Sequence, residues 1–157
     1  ITIQIDMLLA KKFGMEYVDS DNTMKTPYII HRTSLGCYER TLALLIEKYA
    51  GAMPMFLAPT QVKILPIGNE HIDYCYDLKR KMECAGLRVE VDDRNETIGR
   101  KIRESQLDKV PYMLVIGDKE MNEGELAVRS RKNGDEGTMS VDAFIERCLD
   151  DVKNLVK

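Results

Sequence analysis

Between residues 92 and 120 the chain sets a run of charged and amide side chains, Asp92-Asp93-Arg94-Asn95-Glu96-Thr97-Ile98-Gly99-Arg100-Lys101-Ile102-Arg103-Glu104, ahead of an apolar strand and turn, Val110-Pro111-Tyr112-Met113-Leu114-Val115-Ile116-Gly117-Asp118-Lys119-Glu120. Directional donors and acceptors held between apolar strands suggest a binding surface on a rigid α/β frame. Arg94, Arg100, Lys101 and Arg103 can neutralise phosphates, although a run of helix charges equally serves as a solvated face. Gly99 lowers helix propensity inside that run, which suggests close approach of backbone or sheet. Gly117-Asp118 reads as a turn directly after the strand, at the edge where open α/β sheets hold ligands. A second passage, His31-Arg32-Thr33-Ser34-Leu35-Gly36-Cys37-Tyr38-Glu39-Arg40, takes a strand through a glycine turn into a helix. Gly36 lets a ligand approach the backbone there, and the planar guanidinium of Arg40 can stack on a base or grip a phosphate. Taken alone the same passage also suits a glycine bend with a solvated Glu-Arg pair.

Composition limits what these residues can serve. The chain has 157 residues, 44% of them hydrophobic, and 23 Lys and Arg against 26 Asp and Glu for a net charge of -3. No global basic field advertises nucleic acid, so any phosphate contact must be local. Cys37, Cys75, Cys84 and Cys148 are scattered without a C-x-x-C pair, which argues against a disulfide framework or a four-cysteine zinc site and for a reduced, cytoplasmic setting. No apolar run approaches about 18 residues and no signal-peptide pattern opens the chain, so no membrane association is expected. The chain starts at Ile1 rather than Met, already within strand-like sequence, and is expected to be a piece of a longer polypeptide.

The elements that must hold these residues fall into two groups. Residues 1–6, 16–18 and 26–32 are β-prone runs separated by polar turns such as Asp19-Ser20-Asp21-Asn22, which predicts an antiparallel meander. From Tyr38 the apolar positions Leu42, Leu45, Ile46 and Tyr49 have helical spacing, ending near Gly51. Residues 52–59, with Pro54 and Pro59, read as a linker. Beyond it strands at 62–66, 87–91 and 112–116 alternate with helices at 70–85 and 97–107, which predicts parallel pairing through right-handed crossovers. A strand at 126–129 follows, and a closing helix capped by Ser140 carries Val141, Phe144, Ile145, Cys148, Leu149 and Val152. The expected architecture is α/β, a mixed and mostly parallel sheet flanked by helices, preceded by antiparallel strands and one helix. Its boundaries fall at 1–53 and 54–157.

From Thr2 to about Lys153 the chain resembles the C-terminal part of threonyl-tRNA synthetases, which are class II aminoacyl-tRNA synthetases. The resemblance rests on Thr2-Ile3-Gln4-Ile5-Asp6, Ile30-His31-Arg32, Leu35-Gly36-Cys37-Tyr38-Glu39-Arg40, Leu57-Ala58-Pro59-Thr60-Gln61-Val62, Asp93-Arg94-Asn95-Glu96-Thr97-Ile98-Gly99, Lys101-Ile102-Arg103-Glu104, Pro111 through Glu120, and Val128-Arg129-Ser130-Arg131. It implies that residues 1–53 are the end of a class II catalytic domain, including its third motif, and that residues 54–157 are an anticodon-binding domain. Arg40 then matches the motif arginine that packs on the adenine of ATP, and Gln4 matches a position lining the threonyl-adenylate pocket. Gly36 and Cys37 belong to that pocket, with Cys37 standing where Ser is common and offering a weaker hydrogen-bond partner. His31 matches one of three ligands to a zinc ion that holds the amino and hydroxyl groups of threonine and so rejects valine.

Asn95, Glu120 and Arg129 match anticodon-contacting positions, where an amide, a carboxylate and a guanidinium read base edges, with Arg103 beside them. The implied parent is a threonine–tRNA ligase, a homodimer that uses ATP, magnesium and zinc to attach threonine to its tRNA. The piece itself is expected to bind the anticodon of threonine tRNA, to be catalytically inert, and to hold no zinc, since the other two ligands of the family lie upstream. A non-catalytic RNA-binding accessory module built on the same domain is the alternative reading, against which Arg40, His31 and Gln4 speak. A small nucleotide-binding enzyme has little support, because no P-loop or G-x-G-x-x-G follows any strand.

Overall fold

A computed structural model of the chain describes residues 2–34 and 36–155, so that Ile1 and Leu35, which belong to the first strand and the Gly36 passage in the sequence reading, lie outside the described residues. Packing divides the chain into Ile1–Leu45 and Ile46–Lys157. In the first unit β1 (Thr2–Asp6) pairs antiparallel with β4 (Ile29–Thr33), from Thr2 opposite Thr33 to Asp6 opposite Ile29. Among the described residues the expected meander is replaced by two separate two-stranded sheets, because β2 (Tyr17–Val18) and β3 (Met24–Lys25) pair only with each other. The cause lies in the turns. The Asp6 carboxylate accepts from the backbone N–H of Leu8 and Leu9, both at 2.8 Å, and bends the chain out of β1 into α1 (Leu9–Lys12). Lys25 is ion-paired to both Asp19 and Asp21, which closes the β2–β3 hairpin on itself.

Gly36, at φ +75°, turns the chain toward α2 (Tyr38–Tyr49). The amphipathic spacing of α2 is present but buries nothing: Leu42, Leu44 and Ile46 are exposed, as are Ile3, Ile5 and Ile30 on the β1–β4 ribbon. The packing boundary falls inside α2, ahead of the 53/54 boundary expected from the linker. The end of α2 and the linker are tied to the body of the second unit, since Lys109 Nζ donates to Ala50 O and Arg131 donates to Met53 O at 3.1 Å from both Nη1 and Nη2. Met55 is buried, and Gln61 anchors the linker by donating to Met55 O at 2.9 Å while accepting from Arg88 N–H at 2.8 Å.

The second unit is built on a five-stranded mixed sheet of order β6-β5-β7-β8-β9. The strands are β5 (Val62–Pro66), β6 (Val89–Val91), β7 (Tyr112–Ile116), β8 (Glu125–Ser130) and β9 (Gly134–Ser140). β5 pairs parallel with both β6 and β7, and β8 and β9 add on antiparallel. Alternation puts Val62, Ile64, Tyr112, Leu114, Ile116, Leu126 and Val128 on one face. There they pack against Cys75, Leu78 and Met82 of α3 (Ile72–Cys84) and Phe144 and Cys148 of α6 (Val141–Lys153), with Phe144 set edge-on to Tyr112 at 5.5 Å. α6 starts as expected, with Ser140 Oγ accepting from Ala143 N–H at 3.3 Å. The opposite face carries Lys63, Leu65, Met113, Val115, Ala127 and Arg129. α4 (Ile98–Leu107) covers the β5 side of it, where Lys63 reaches Asp108 at 3.4 Å. Helices on opposite faces are what two right-handed crossovers running in opposite directions require. Both buried thiols, Cys75 and Cys148, are pushed up to about 12 by burial and are inert packing groups.

Candidate nucleic-acid interface

The loop from β6 into α4 is held by charge. Asp92 is buried, and Arg94 grips its carboxylate with two hydrogen bonds, Nε to Oδ1 at 2.8 Å and Nη2 to Oδ2 at 2.6 Å. Those bonds hold the Asp92 carboxyl below the usual carboxylate range despite its burial. Arg94 also pairs with Glu104 at 2.7 Å, and Arg100 bridges Glu104 at 2.9 Å and Glu96 at 2.8 Å. Arg94 and Arg100 are thus paired with the protein's own carboxylates, with half of each side chain still exposed. The cleft beside them, about 510 Å³, is lined by Glu90, Asp92, Asp93, Glu104 and Asp108 together with Lys63 and Arg94, which pair with three of those acids. Asn95 stands exposed on this braced loop, its amide unbonded among the described residues.

α4 corrects two further expectations. Lys101 is buried and donates to Pro66 O at 3.1 Å, so it caps the end of β5 instead of meeting phosphate. A Cβ on Gly99 would meet nothing within 4 Å, and no close approach explains that glycine. Arg103 is exposed and makes no ion pair among the described residues, which leaves it as the cation of α4 open to a ligand.

The Gly117-Asp118 turn is the start of a short helix, α5 (Asp118–Glu123). Gly117 N–H donates to Glu120 Oε2 at 3.0 Å, and Gly124, at φ +69°, ends the helix. Glu120 thus has one oxygen committed to capping, while Oε1 has no hydrogen bond among the described residues. A Cβ on Gly117 would come within 2.8 Å of Ile67 Cδ1, the end of an exposed side chain that can move aside. Buried His71, in the turn between β5 and α3, accepts from Gly68 N–H at 3.1 Å through Nδ1 and meets Asp118 Oδ1 at 3.0 Å through Nε2. Sequence reasoning passed over this link, because its partners are 47 residues apart and no local pattern joins them.

Arg129 lies on β8 opposite Met113 of β7, on the sheet face that also carries α4. Beside it β9 bulges. Ala127 pairs with Thr138 but Arg129 with Asp135, so β9 spends an extra residue there, with Gly137 at φ +81° inside the step. Arg129 Nη1 stands 3.6 Å from Asp135, too far for a hydrogen bond, and its Nε is buried without a partner. Glu120 and Asn95 sit in connections that leave the C-terminal strand ends, whereas Arg129 sits near the other end of β7, about 10 Å away along the strand. Asn95 and Glu120 thus stand at one end of the sheet and Arg129 toward the other.

In the first unit Gln4 and His31 are cross-strand partners, brought side by side on β1 and β4. Both are exposed, and His31 Nε2 is 3.9 Å from Asp6. Arg40 is exposed on the first turn of α2, and Cys37 just before it is an exposed free thiol.

Residues 61–151 match the anticodon binding domain model, and residues 1–49 match the model of the tRNA synthetase class II core domain (G, H, P, S and T). The chain is 53% identical over 154 residues to the threonine–tRNA ligase of Clostridium perfringens (strain SM101 / Type A), covering 98% of this chain and 24% of that protein. To the threonine–tRNA ligase of Clostridium botulinum (strain Eklund 17B / Type B) it is 54% identical over 151 residues, again spanning 24% of the relative. The crystal structure of the RNA binding domain of threonyl-tRNA synthetase from Cryptosporidium parvum Iowa II superposes with a TM-score of 0.72 at 34% identity, covering 94% of this chain and 38% of that one. The chain therefore spans about a quarter of the length of the curated relatives it matches. Among the described residues no helix is long and apolar enough to cross a membrane.

Proposed function

The chain belongs to the anticodon binding domain family, in the form carried by the C-terminal portion of threonyl-tRNA synthetase, and on that premise we propose that it reads the anticodon of threonine tRNA. One observation carries the reading: within the matched domain an exposed amide, a carboxylate oxygen and a guanidinium each keep unspent hydrogen-bonding capacity. Unstacked bases of an RNA loop present their Watson–Crick edges to such a surface, and mixed donors and acceptors are what those edges require. Asn95 offers both, Glu120 Oε1 accepts from base N–H groups, and Arg129 donates from both terminal nitrogens. Arg103 supplies a backbone contact that does not depend on sequence.

The longer protein is read as a threonine–tRNA ligase, with residues 1–53 completing its catalytic domain and residues 54–157 its anticodon-binding domain. ATP, with magnesium, and threonine are then its substrates, a homodimer its assembly and the cytoplasm its place. Arg40 would pack on the adenine ring of ATP, with Gly36 and Cys37 along the pocket wall and Gln4 facing threonyl-adenylate. The zinc ion of that family finds one imidazole here, His31, with Asp6 as its nearest acidic neighbour. Three protein ligands are the rule at a catalytic zinc, so the residues present do not fit the ion by themselves and no step is assigned to it.

The test is binding of threonine tRNA and of the same tRNA with its anticodon exchanged. Glu120→Ala and Arg129→Ala each lower the preference for threonine tRNA by about 5- to 150-fold, the range of a lost base-edge contact of about 1–3 kcal/mol. An unchanged preference in both variants refutes the reading.

A further inference from the structure

Six residues long and burying none of them, α5 has neither the length to hold itself as a helix nor an apolar face to dock it. Something else must set where Glu120 stands. We propose that His71 is a positioning residue for Glu120, clamping the start of α5 to the turn that leaves β5; the inference rests on the anticodon reading above. The ring has one arrangement of protons that serves both its contacts. Nδ1 accepts from Gly68 N–H, so the proton resides on Nε2 and is donated to Asp118 Oδ1 at 3.0 Å. The donor is rigid, since the His71 side chain is 3% exposed, whereas the Asp118 side chain is 83% exposed and has no other reason to hold one orientation. The clamp works beside one further stitch between the same two turns: Ile67 N–H donates to Ile116 O at 2.9 Å. Glu120 follows from these, because its carboxylate is fixed to Gly117 N–H.

Glu70, His71 and Asp118 also place their ligand atoms within 4.8 Å of one another, which raises the question of a cation. Both ring nitrogens are spent on hydrogen bonds, and Glu70 reaches Nδ1 only at 3.8 Å, so the cluster is a hydrogen-bonded clamp.

Asn in place of histidine can present an acceptor near the Nδ1 position but cannot reach Asp118, whereas Gln can present a donor near the Nε2 position. Asp118→Ala removes the contact from the exposed side and leaves the core untouched. His71→Asn and Asp118→Ala accelerate amide exchange at Met121 and Gly124, the N–H groups that close α5, by about tenfold, while amides of β5 and β7 keep their protection. The same two variants lower the preference for threonine tRNA over its anticodon-exchanged form about fivefold, His71→Gln retains most of it, and Asp118→Ala adds nothing in a Glu120→Ala background. Unchanged exchange at Met121 and Gly124 in Asp118→Ala overturns the clamp. Preference lost equally with and without Glu120 overturns its connection to Glu120. Should Glu120→Ala itself leave the preference intact, the anticodon reading fails, while the exchange measurement still decides the clamp.

Discussion

Protonating or removing Glu136 should cost this domain stability in a pH-dependent way that can be worked in advance. Glu136 is on β9 and Arg147 on α6, and their 2.6 Å ion pair ties an edge strand to the closing helix. Asn133 donates to the same carboxylate at 2.8 Å, and the Arg147 guanidinium lies over the Tyr112 ring at 5.3 Å, so the pair sits in a partly dry corner. The Arg147 hydrogen bond, against an opposing effect of burial, takes the Glu136 carboxyl from its ordinary 4.5 down to about 2. At about 1.4 kcal/mol per unit, the difference is worth about 3 kcal/mol when Glu136 is ionised in both states. The folded value is the lower one, so the contribution is complete above about pH 4.5 and is lost as pH falls toward 2. By linkage about 2 kcal/mol has gone by pH 3 and about 3 kcal/mol by pH 2. Urea unfolding followed by far-ultraviolet circular dichroism, since the chain has no Trp, isolates the term by comparison with Glu136→Gln. The gap between wild type and variant should shrink from about 3 kcal/mol at pH 7 to about 1 kcal/mol at pH 3. A gap of the same size at both pH values refutes the assignment of the depressed carboxyl to Glu136.

Three other perturbations separate the roles of the charged residues around the loop and α4. Arg103→Ala should weaken binding of threonine tRNA and of the anticodon-exchanged tRNA alike, and flatten the salt dependence by a slope of about 0.7–0.9, measured by titration at several salt concentrations. Asp92→Asn weakens the grip of Arg94 and should loosen the loop under Asn95; the melting temperature drops at neutral pH, and the difference from wild type fades in acid, where the depressed Asp92 carboxyl is protonated in wild type too. Lys101→Met leaves Pro66 O without its donor and should lower stability by about 1–3 kcal/mol in urea unfolding while tRNA affinity stays within about twofold.

Elements with strong periodicity were legible, and those without it were not. β5, β7, α3, α4 and α6 lie close to where apolar spacing puts them, and Ser140 caps α6 as read. β9 carries Gly134, Asp135, Glu136, Gly137 and Thr138, a composition of low strand propensity, and its pairing is imposed by β8 through a bulge. α5 buries no residue and so has no hydrophobic period. Its only written signals are Glu120 three places after Gly117 and Gly124 behind it, a cap at each end of a helix that the middle does not announce. The β1–β4 ribbon differs from the predicted meander because Asp6 and Lys25 act through side-chain contacts, which strand propensity does not weigh.

The same distinction runs through the site. Residue type shows what Asn95, Glu120 and Arg129 can donate or accept, but whether a charge is free depends on neighbours that only folding supplies. Arg94, Arg100, Lys101 and Arg103 look equivalent as a basic run, and a helix of period 3.6 must separate them. Position 101 points inward to Pro66 O, position 100 pairs along the helix with Glu96 and Glu104, and Arg94 turns back onto Asp92. Among the described residues only Arg103 of these four is left facing solvent without an acid beside it. Arg103 is therefore the unpaired cation of the four, and affinity for RNA phosphate at α4 should respond most to Arg103 and least to buried Lys101.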